Sequence, residues 1–432
     1  MKKAASFALG CKVNQYESEA IAELFQEKGY EIVGIDEEAD VYVINTCTVT
    51  NFGDKKSRQL IRKVKRQNEN AIVCVVGCYA QTAPQELEKV EGVNLVLGTK
   101  DRAQIVEMVE NYKVENGVES HVSDIMKERL FEPLSIQKLA NRTRAYLKIQ
   151  DGCSQFCSYC IIPYARGPVR SLPLEVAVAQ TRQLREEGYK EIVITGIEIS
   201  SWGHDLKNGQ SLIDLLEAVS AEAGEMRLRL GSLEPRTITE DFCRRAVKLP
   251  NLCPHFHLSM QSGCDETLRR MNRKYDSARY KKSVELLNVY FDRPAITTDL
   301  IVGFPGETEE EFARTLEHIR FCGFAEMHIF PYSIRTGTPA AEMEQVPKAV
   351  KEERAARAAA VAAEMRSAYL EGCVGKVYPV LYEQTYDGLW HGHAPNYATV
   401  AVSCGEDLHN RVVMTKVTGV EDGVLVGEVV FK

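Results

Sequence analysis

RAYLKIQDGCSQFCSYC, residues 144–160, runs from an alternating segment (144–150) straight into three cysteines, Cys153, Cys157 and Cys160. The alternation predicts a β-strand. Residues directly behind a strand are where α/β folds gather their chemistry, at the carboxyl ends of the strands. The same strand-then-helix rhythm continues through EIVITG (191–196), MRLRLGS (226–232), HFHLSM (255–260), AITTDLIVG (295–303) and EMHIF (326–330). Between these lie helical stretches such as LEVAVAQTRQLREEG (174–188) and EEEFARTLEHIRFCG (309–323). Six such units over residues 143–370 predict an incomplete version of the eight-fold βα barrel.

Working outward, the upstream region carries a similar rhythm. ASFALG leads to Cys11, DVYVINT to Cys47 and AIVCVVG to Cys78, with helix-like ESEAIAELFQEKG and KKSRQLIRKVKR between them. This predicts an α/β domain over residues 1–112 with a parallel sheet, so that three cysteines distant in sequence converge at the strand ends. Cys74 lies inside the third apolar run, where a thiol behaves as a small buried hydrophobe, and is left out of the site. Residues 113–142, polar and weakly periodic, read as a linker. Downstream of a long charged helix, residues 371–432 turn to short β-rich runs and predict a small all-β barrel or sandwich, of a kind often used to bind oligonucleotides.

Composition restricts the function classes. The chain has 432 residues, 44% hydrophobic and 26% charged, the balance of a globular protein with large cores. The thirteen cysteines are an odd number and follow no export signal, which favours reduced, metal-binding or buried thiols over a disulfide framework. No run approaches a membrane span, and a cytoplasmic protein is expected. The net charge of −8 opposes indiscriminate nucleic-acid binding and leaves room for local basic patches. KKSRQLIRKVKR (55–66) has seven basic residues; it reads either as an amphipathic helix with a solvated face or as an RNA-facing patch.

Three thiolates fit two kinds of site. A structural zinc ion closes a tetrahedron with four protein ligands, and the local motif offers three. A cubane 4Fe-4S cluster has four irons, so three thiolates leave one iron open to a small molecule. Cys11, Cys47 and Cys78 repeat the arithmetic.

CxxxCxxC after the first strand of a βα barrel resembles the radical S-adenosylmethionine superfamily. With LGCKVNQYESE, INTCTVT, VVGCYAQ, LSMQSGCDETLRRMNRKY, DLIVGFPGETEEEF and IFPYSIRTGTPA, the resemblance extends along essentially the whole chain to the methylthiotransferases. It implies an N-terminal cluster domain, a partial barrel and a C-terminal TRAM domain. It also implies two 4Fe-4S clusters, one on Cys153, Cys157 and Cys160 and an auxiliary one on Cys11, Cys47 and Cys78. Two S-adenosylmethionine molecules would be used, one to methylate a sulfur on the auxiliary cluster and one to yield the 5′-deoxyadenosyl radical that activates a C-H bond.

CKVNQY (11–16) and the segment through YCIIPYARGPVRS resemble most the branch acting on N6-threonylcarbamoyladenosine beside the tRNA anticodon. The branches acting on isopentenyladenosine tRNA and on a ribosomal protein are the alternatives. The implied partners are the tRNA anticodon loop, a reductant such as flavodoxin or ferredoxin, and a sulfur donor, with no membrane.

A non-enzymatic iron-sulfur or zinc RNA-binding protein would leave the six βα units without a purpose. Gly196, Ser232, Glu234, Gln261 and Gly303 follow barrel strands and read either as S-adenosylmethionine contacts or as turn and capping residues. Trp390, His393, Asn396 and Tyr397 suit RNA stacking or barrel-corner packing. His255 and His257 are left unassigned.

Overall fold

The computed structural model describes residues 1–48, 51–134 and 143–430. Six strands open the chain: β1 (Lys3–Ala8), β2 (Glu31–Ile32), β3 (Val41–Thr46), β4 (Ile72–Gly77), β5 (Leu95–Leu97) and β6 (Glu119–His121). They form one sheet in the order β2-β1-β3-β4-β5-β6, parallel throughout. Helices cover both of its faces, which explains why β3 is buried along its whole length and reads as a continuous apolar run.

β6 corrects the linker expectation. Residues 119–121, expected within a linker over 113–142, pair in parallel with β5 as the edge of the sheet. A three-residue exposed edge strand carries almost no apolar alternation, so sequence periodicity does not reveal it. Residues 135–142 of that segment lie outside the described residues.

Cys74 faces the core formed by Val43, Val76 and Leu95, with no exposed surface. Cys74→Ala is therefore expected to cost about 1 kcal/mol, the ordinary loss for a small buried side chain. Iron bound per chain, measured after reconstitution, is expected to stay unchanged.

The second unit contains β7 (Arg144–Asp151), β8 (Arg170–Ser171), β9 (Glu191–Gly196), β10 (Arg227–Leu230), β11 (His255–His257), β12 (Ala295–Val302) and β13 (Glu326–Pro331). Strands β7, β9 and β10 pair in parallel, as do β11, β12 and β13. Single bridges from Leu228 to Leu252 and from Leu233 to Leu258 link the two arcs. The six parallel strands match the six expected ones, around one contiguous core. The short β8 adds an antiparallel edge beside β7.

β14 (Val377–Tyr386), β15 (Leu389–His393), β16 (Thr399–Val402), β17 (Arg411–Glu421) and β18 (Val424–Val429) close into a barrel in the order β14-β15-β16-β18-β17. Closure removes the edges that a sandwich would leave open. This domain seats on the amino ends of β7, β9 and β10. Arg227 donates to the carbonyls of Pro379 and His393 at 3.0 and 3.1 Å, and Arg229 donates to Pro395 at 2.9 Å. Among the described residues no helix is long and apolar enough to cross a membrane.

Candidate active site

The first trio follows β7. Gly152 turns there at φ +75°, and a Cβ on it would lie 1.9 Å from the Pro168 carbonyl oxygen, so the loop requires glycine. The Cys153 amide donates to Gly167 O at 3.0 Å, and the Cys160 amide donates to Cys157 O at 3.0 Å. The segment 270–275 braces the loop from the far side. Ser158 donates through its amide to Met271 O and through its hydroxyl to Arg270 O, and Asn272 donates to Phe156 O. The Arg273 guanidinium lies 3.3 Å from Cys157 Sγ. Burial pushes the Cys153 and Cys160 thiols up to about 12.

The second trio gathers at the ends of β1, β3 and β4. Cys47 and Cys78 directly follow β3 and β4, and Cys11 caps the helix Lys12–Glu27. All three are close enough to interact electrostatically; burial, reinforced by Cys11 and Cys47, pushes the Cys78 thiol up to about 12 against the pull of Arg166. Asn14 ties the first two of these segments together, donating to Leu9 O at 2.8 Å and Thr46 O at 3.0 Å.

Gly10 permits the close approach, since a Cβ on it would lie 2.5 Å from Cys47 Cβ at φ +96°. Gly10→Ala is therefore expected to displace Cys47 and to lower reconstituted iron by about four atoms, the content of one cubane. Iron analysis checks this.

A buried ion network that the sequence reading missed runs from Cys78 to Asp151, two residues before Cys153. Arg166, at the end of the helix Ile162–Arg166 behind the first trio, donates from Nε to Cys78 Sγ at 3.1 Å. Its other nitrogens reach Glu17 at 2.5 and 3.0 Å and Asn14 Oδ1 at 2.6 Å. Glu17 also pairs with Arg102 and with Lys148 at 2.8 Å, and Lys148 reaches Asp151 at 2.6 Å. Arg170 lies 3.8 Å from Asp151, and Glu132 pairs with Arg102 at 2.8 Å. The cations Arg102, Lys148, Arg166 and Arg170 thus face the three carboxylates Glu17, Glu132 and Asp151. These cations exceed the carboxylates by one charge, and Cys78 is the group beside them that would balance it as a thiolate. That surplus of positive charge beside a thiol fits a metal-bound thiolate, because a bound metal replaces the proton of a thiol that burial otherwise keeps neutral.

A cleft of about 390 Å³ opens beside the first trio, lined by Gln155, Glu198, Ser200, Glu234, Arg236 and Thr237 among others. It lies beyond the carboxyl ends of β9 and β10, and Glu198 Oε1 is buried in its wall without a hydrogen-bond partner among the described residues. Carboxylates and a hydroxyl in a partly enclosed cleft suit a ligand carrying amino, sulfonium and hydroxyl groups.

Of the five expected cofactor contacts, Glu234 lines this cleft and Gly196 closes the adjacent β9. Ser232 is exposed, and Gln261, at φ +63°, exchanges backbone hydrogen bonds with Asp299 and Ile301. Gly303 donates to Glu307 at 2.7 Å, and a Cβ there would meet Lys351. Glu198 and Ser200 were legible only as polar residues in the turn after EIVITG.

The C-terminal candidates separate in the same way. Asn396 is buried and donates to Tyr369 Oη, and Trp390 packs against the small-barrel core. Tyr397 instead sits between domains, stacked on His393 at 4.8 Å. The Arg229 guanidinium lies over the Tyr397 ring at 4.6 Å.

A partial βα barrel with three cysteines behind its first strand defines the class as radical S-adenosylmethionine proteins, and residues 147–319 match the Radical SAM superfamily. Residues 3–98 match the uncharacterized protein family UPF0004. The threonylcarbamoyladenosine tRNA methylthiotransferase MtaB of Bacillus subtilis (strain 168) is 43% identical over 96% of this chain and 94% of its own length. A tRNA-2-methylthio-N(6)-dimethylallyladenosine synthase of Cereibacter sphaeroides is 33% identical over 97% of this chain and 96% of its own. The chain belongs to the radical S-adenosylmethionine tRNA methylthiotransferase family, and it is more similar to the threonylcarbamoyladenosine relative.

In fold it resembles the radical S-adenosylmethionine methyltransferase TsrM of Kitasatospora setae. The TM-score is 0.57 at 15% identity, covering 79% of this chain and 75% of that one.

Proposed function

We propose that this chain transfers a methylthio group to N6-threonylcarbamoyladenosine beside the anticodon of tRNA, with Cys153, Cys157 and Cys160 holding one 4Fe-4S cluster and Cys11, Cys47 and Cys78 the other. The observation that carries the reading is the pair of three-thiol sites, one with Arg166 on Cys78 and the other with Arg273 on Cys157, each offering three ligands to a four-iron cluster. When bound, the clusters and S-adenosylmethionine supply the electron transfer, the sulfur and the methyl group.

The chain's own residues hold and shield that chemistry. Arg273 and Arg166 each donate a hydrogen bond to one sulfur, on Cys157 and Cys78 respectively. Glu198, Ser200 and Glu234 are the groups placed to orient S-adenosylmethionine in the cleft beside Cys153. Cys78, Cys157 and the network around Glu17 are buried, whereas Cys11 is exposed.

The basic helix Asn51–Gln67 buries Ile61 and Val64 and leaves Lys55, Arg62 and Arg66 outward, a surface suited to RNA phosphates. A low-potential reductant such as flavodoxin or ferredoxin, a sulfur donor and a cytoplasmic setting complete the proposal. In a strain lacking the gene, mass spectrometry of bulk tRNA nucleosides is expected to show loss of the 2-methylthio derivative and accumulation of threonylcarbamoyladenosine. Unchanged nucleosides would refute the assignment.

A further inference from the structure

A second cleft, of about 240 Å³, lies between the start of the helix Lys12–Glu27, the inner face of β7, β9 and β10, and the C-terminal barrel. Its lining includes Lys12, Arg144, Tyr146, Arg229, Glu383 and Tyr397. Three of these six are cations and one is a carboxylate. Two of the cations are already paired. Arg144 Nε bonds Glu383 at 2.9 Å, and Arg229 forms a two-pronged pair with Glu191 at 2.7 and 2.9 Å. Lys12 is exposed at the edge of this partly open cleft and has no ion-pair or hydrogen-bond partner among the described residues. It is also the residue next to Cys11, so whatever it contacts lies beside the second trio.

Two features of the walls point to a planar, anionic guest. Tyr146 presents an aromatic surface within the cleft, suited to packing against a base or its substituent. Tyr397 is held at φ +68°, a conformation that a bulky residue adopts only where its surroundings impose it and that clusters at ligand sites. Its ring is fixed between His393, His255 and the guanidinium groups of Arg144 and Arg229. The cleft is thus a rigid, aromatic-walled socket with one uncompensated ammonium.

We infer that this cleft receives the carboxylate-bearing substituent of the modified adenosine, and that the Lys12 ammonium pairs with that carboxylate. The inference rests on the function proposed above and names the group that would discriminate its substrate from an adenosine with an apolar substituent. An apolar substituent would leave the ammonium desolvated and unpaired, which a charged partner relieves.

The test measures binding of anticodon-loop RNA to the reconstituted protein by fluorescence anisotropy. Three loops are compared: one carrying threonylcarbamoyladenosine, the same loop with its carboxylate capped as a methylamide, and an isopentenylated loop. Wild type is expected to bind the free carboxylate about tenfold or more tighter than the capped form, the range of a charge-assisted hydrogen bond. Lys12→Met is expected to bind these two loops alike, whereas Lys12→Arg is expected to keep most of the discrimination. Iron per chain is measured in each variant.

The inference is overturned if Lys12→Met with full iron still separates the two loops tenfold. It is equally overturned if wild type fails to separate them while preferring both to the isopentenylated loop. Preference of wild type for the isopentenylated loop would instead overturn the proposed function, and the inference with it.

Discussion

Replacing Cys153, Cys157 and Cys160 together with alanine is expected to remove about four of about eight reconstituted irons, as two cubanes require, and all cleavage of S-adenosylmethionine. The first trio is held by its own loop and by Ser158, Asn272 and Arg273, whereas the second is held by Asn14, Gly10 and Arg166. None of these supporting side chains bonds a sulfur of both trios, so the iron on Cys11, Cys47 and Cys78 should survive. The reverse replacement, of Cys11, Cys47 and Cys78, is expected to abolish methylthio transfer while leaving reductive cleavage measurable as 5′-deoxyadenosine. Cleavage retained in the first variant would contradict the assignment.

The second large effect is on stability. Glu17 has no exposed surface and faces Arg102, Arg166 and Lys148. Burial alone would raise its carboxyl, but these three cations outweigh burial and hold it well below the ordinary carboxylate range. Glu17→Gln leaves them without their shared counter-charge, and breaking a buried pair in this way costs about 3–5 kcal/mol. A lower denaturant midpoint for the transition that unfolds the two α/β units measures it.

The sign with pH follows from the depressed value. A carboxyl lowered in the folded state stabilises it at every pH above the unfolded value near 4.5, and that contribution is lost as pH falls below it. Wild type should therefore lose stability on acidification below that point by an amount that Glu17→Gln no longer shows. Equal acid sensitivity of the two proteins would show that Glu17 is not ionised in the fold.

What the sequence revealed and what it concealed divide along a physical line. Strands β1, β3, β4 and the six of the partial barrel have apolar runs ending in turn residues, and the placement of Cys47 and Cys78 immediately after β3 and β4 follows from that local pattern alone. β6 was hidden because three exposed residues contribute no period. Glu17 and Arg166 were hidden for a different reason. They are 149 residues apart, and an ion pair across that separation leaves no local signature in either YESE or YARG. Lys12 was visible only as the neighbour of Cys11; its unpaired charge becomes apparent once the C-terminal barrel brings Tyr397 and Glu383 against the start of β7. For Gln261 and Gly303 the backbone contacts account for the residue type as turn chemistry.

On this account two three-cysteine sites serve the methylthiolation of a carboxylate-bearing adenosine in an unpaired loop. The most direct measurement offers the reconstituted enzyme, with reductant, sulfide and S-adenosylmethionine, anticodon-loop RNAs bearing threonylcarbamoyladenosine, isopentenyladenosine or unmodified adenosine, and quantifies the methylthio product of each by mass spectrometry. The expected result is product from the threonylcarbamoylated loop, with plain adenosine rejected by about 10⁴-fold, as for a site whose polar groups would go unpaired. Product chiefly from the isopentenylated loop, or from none of the three, would contradict it.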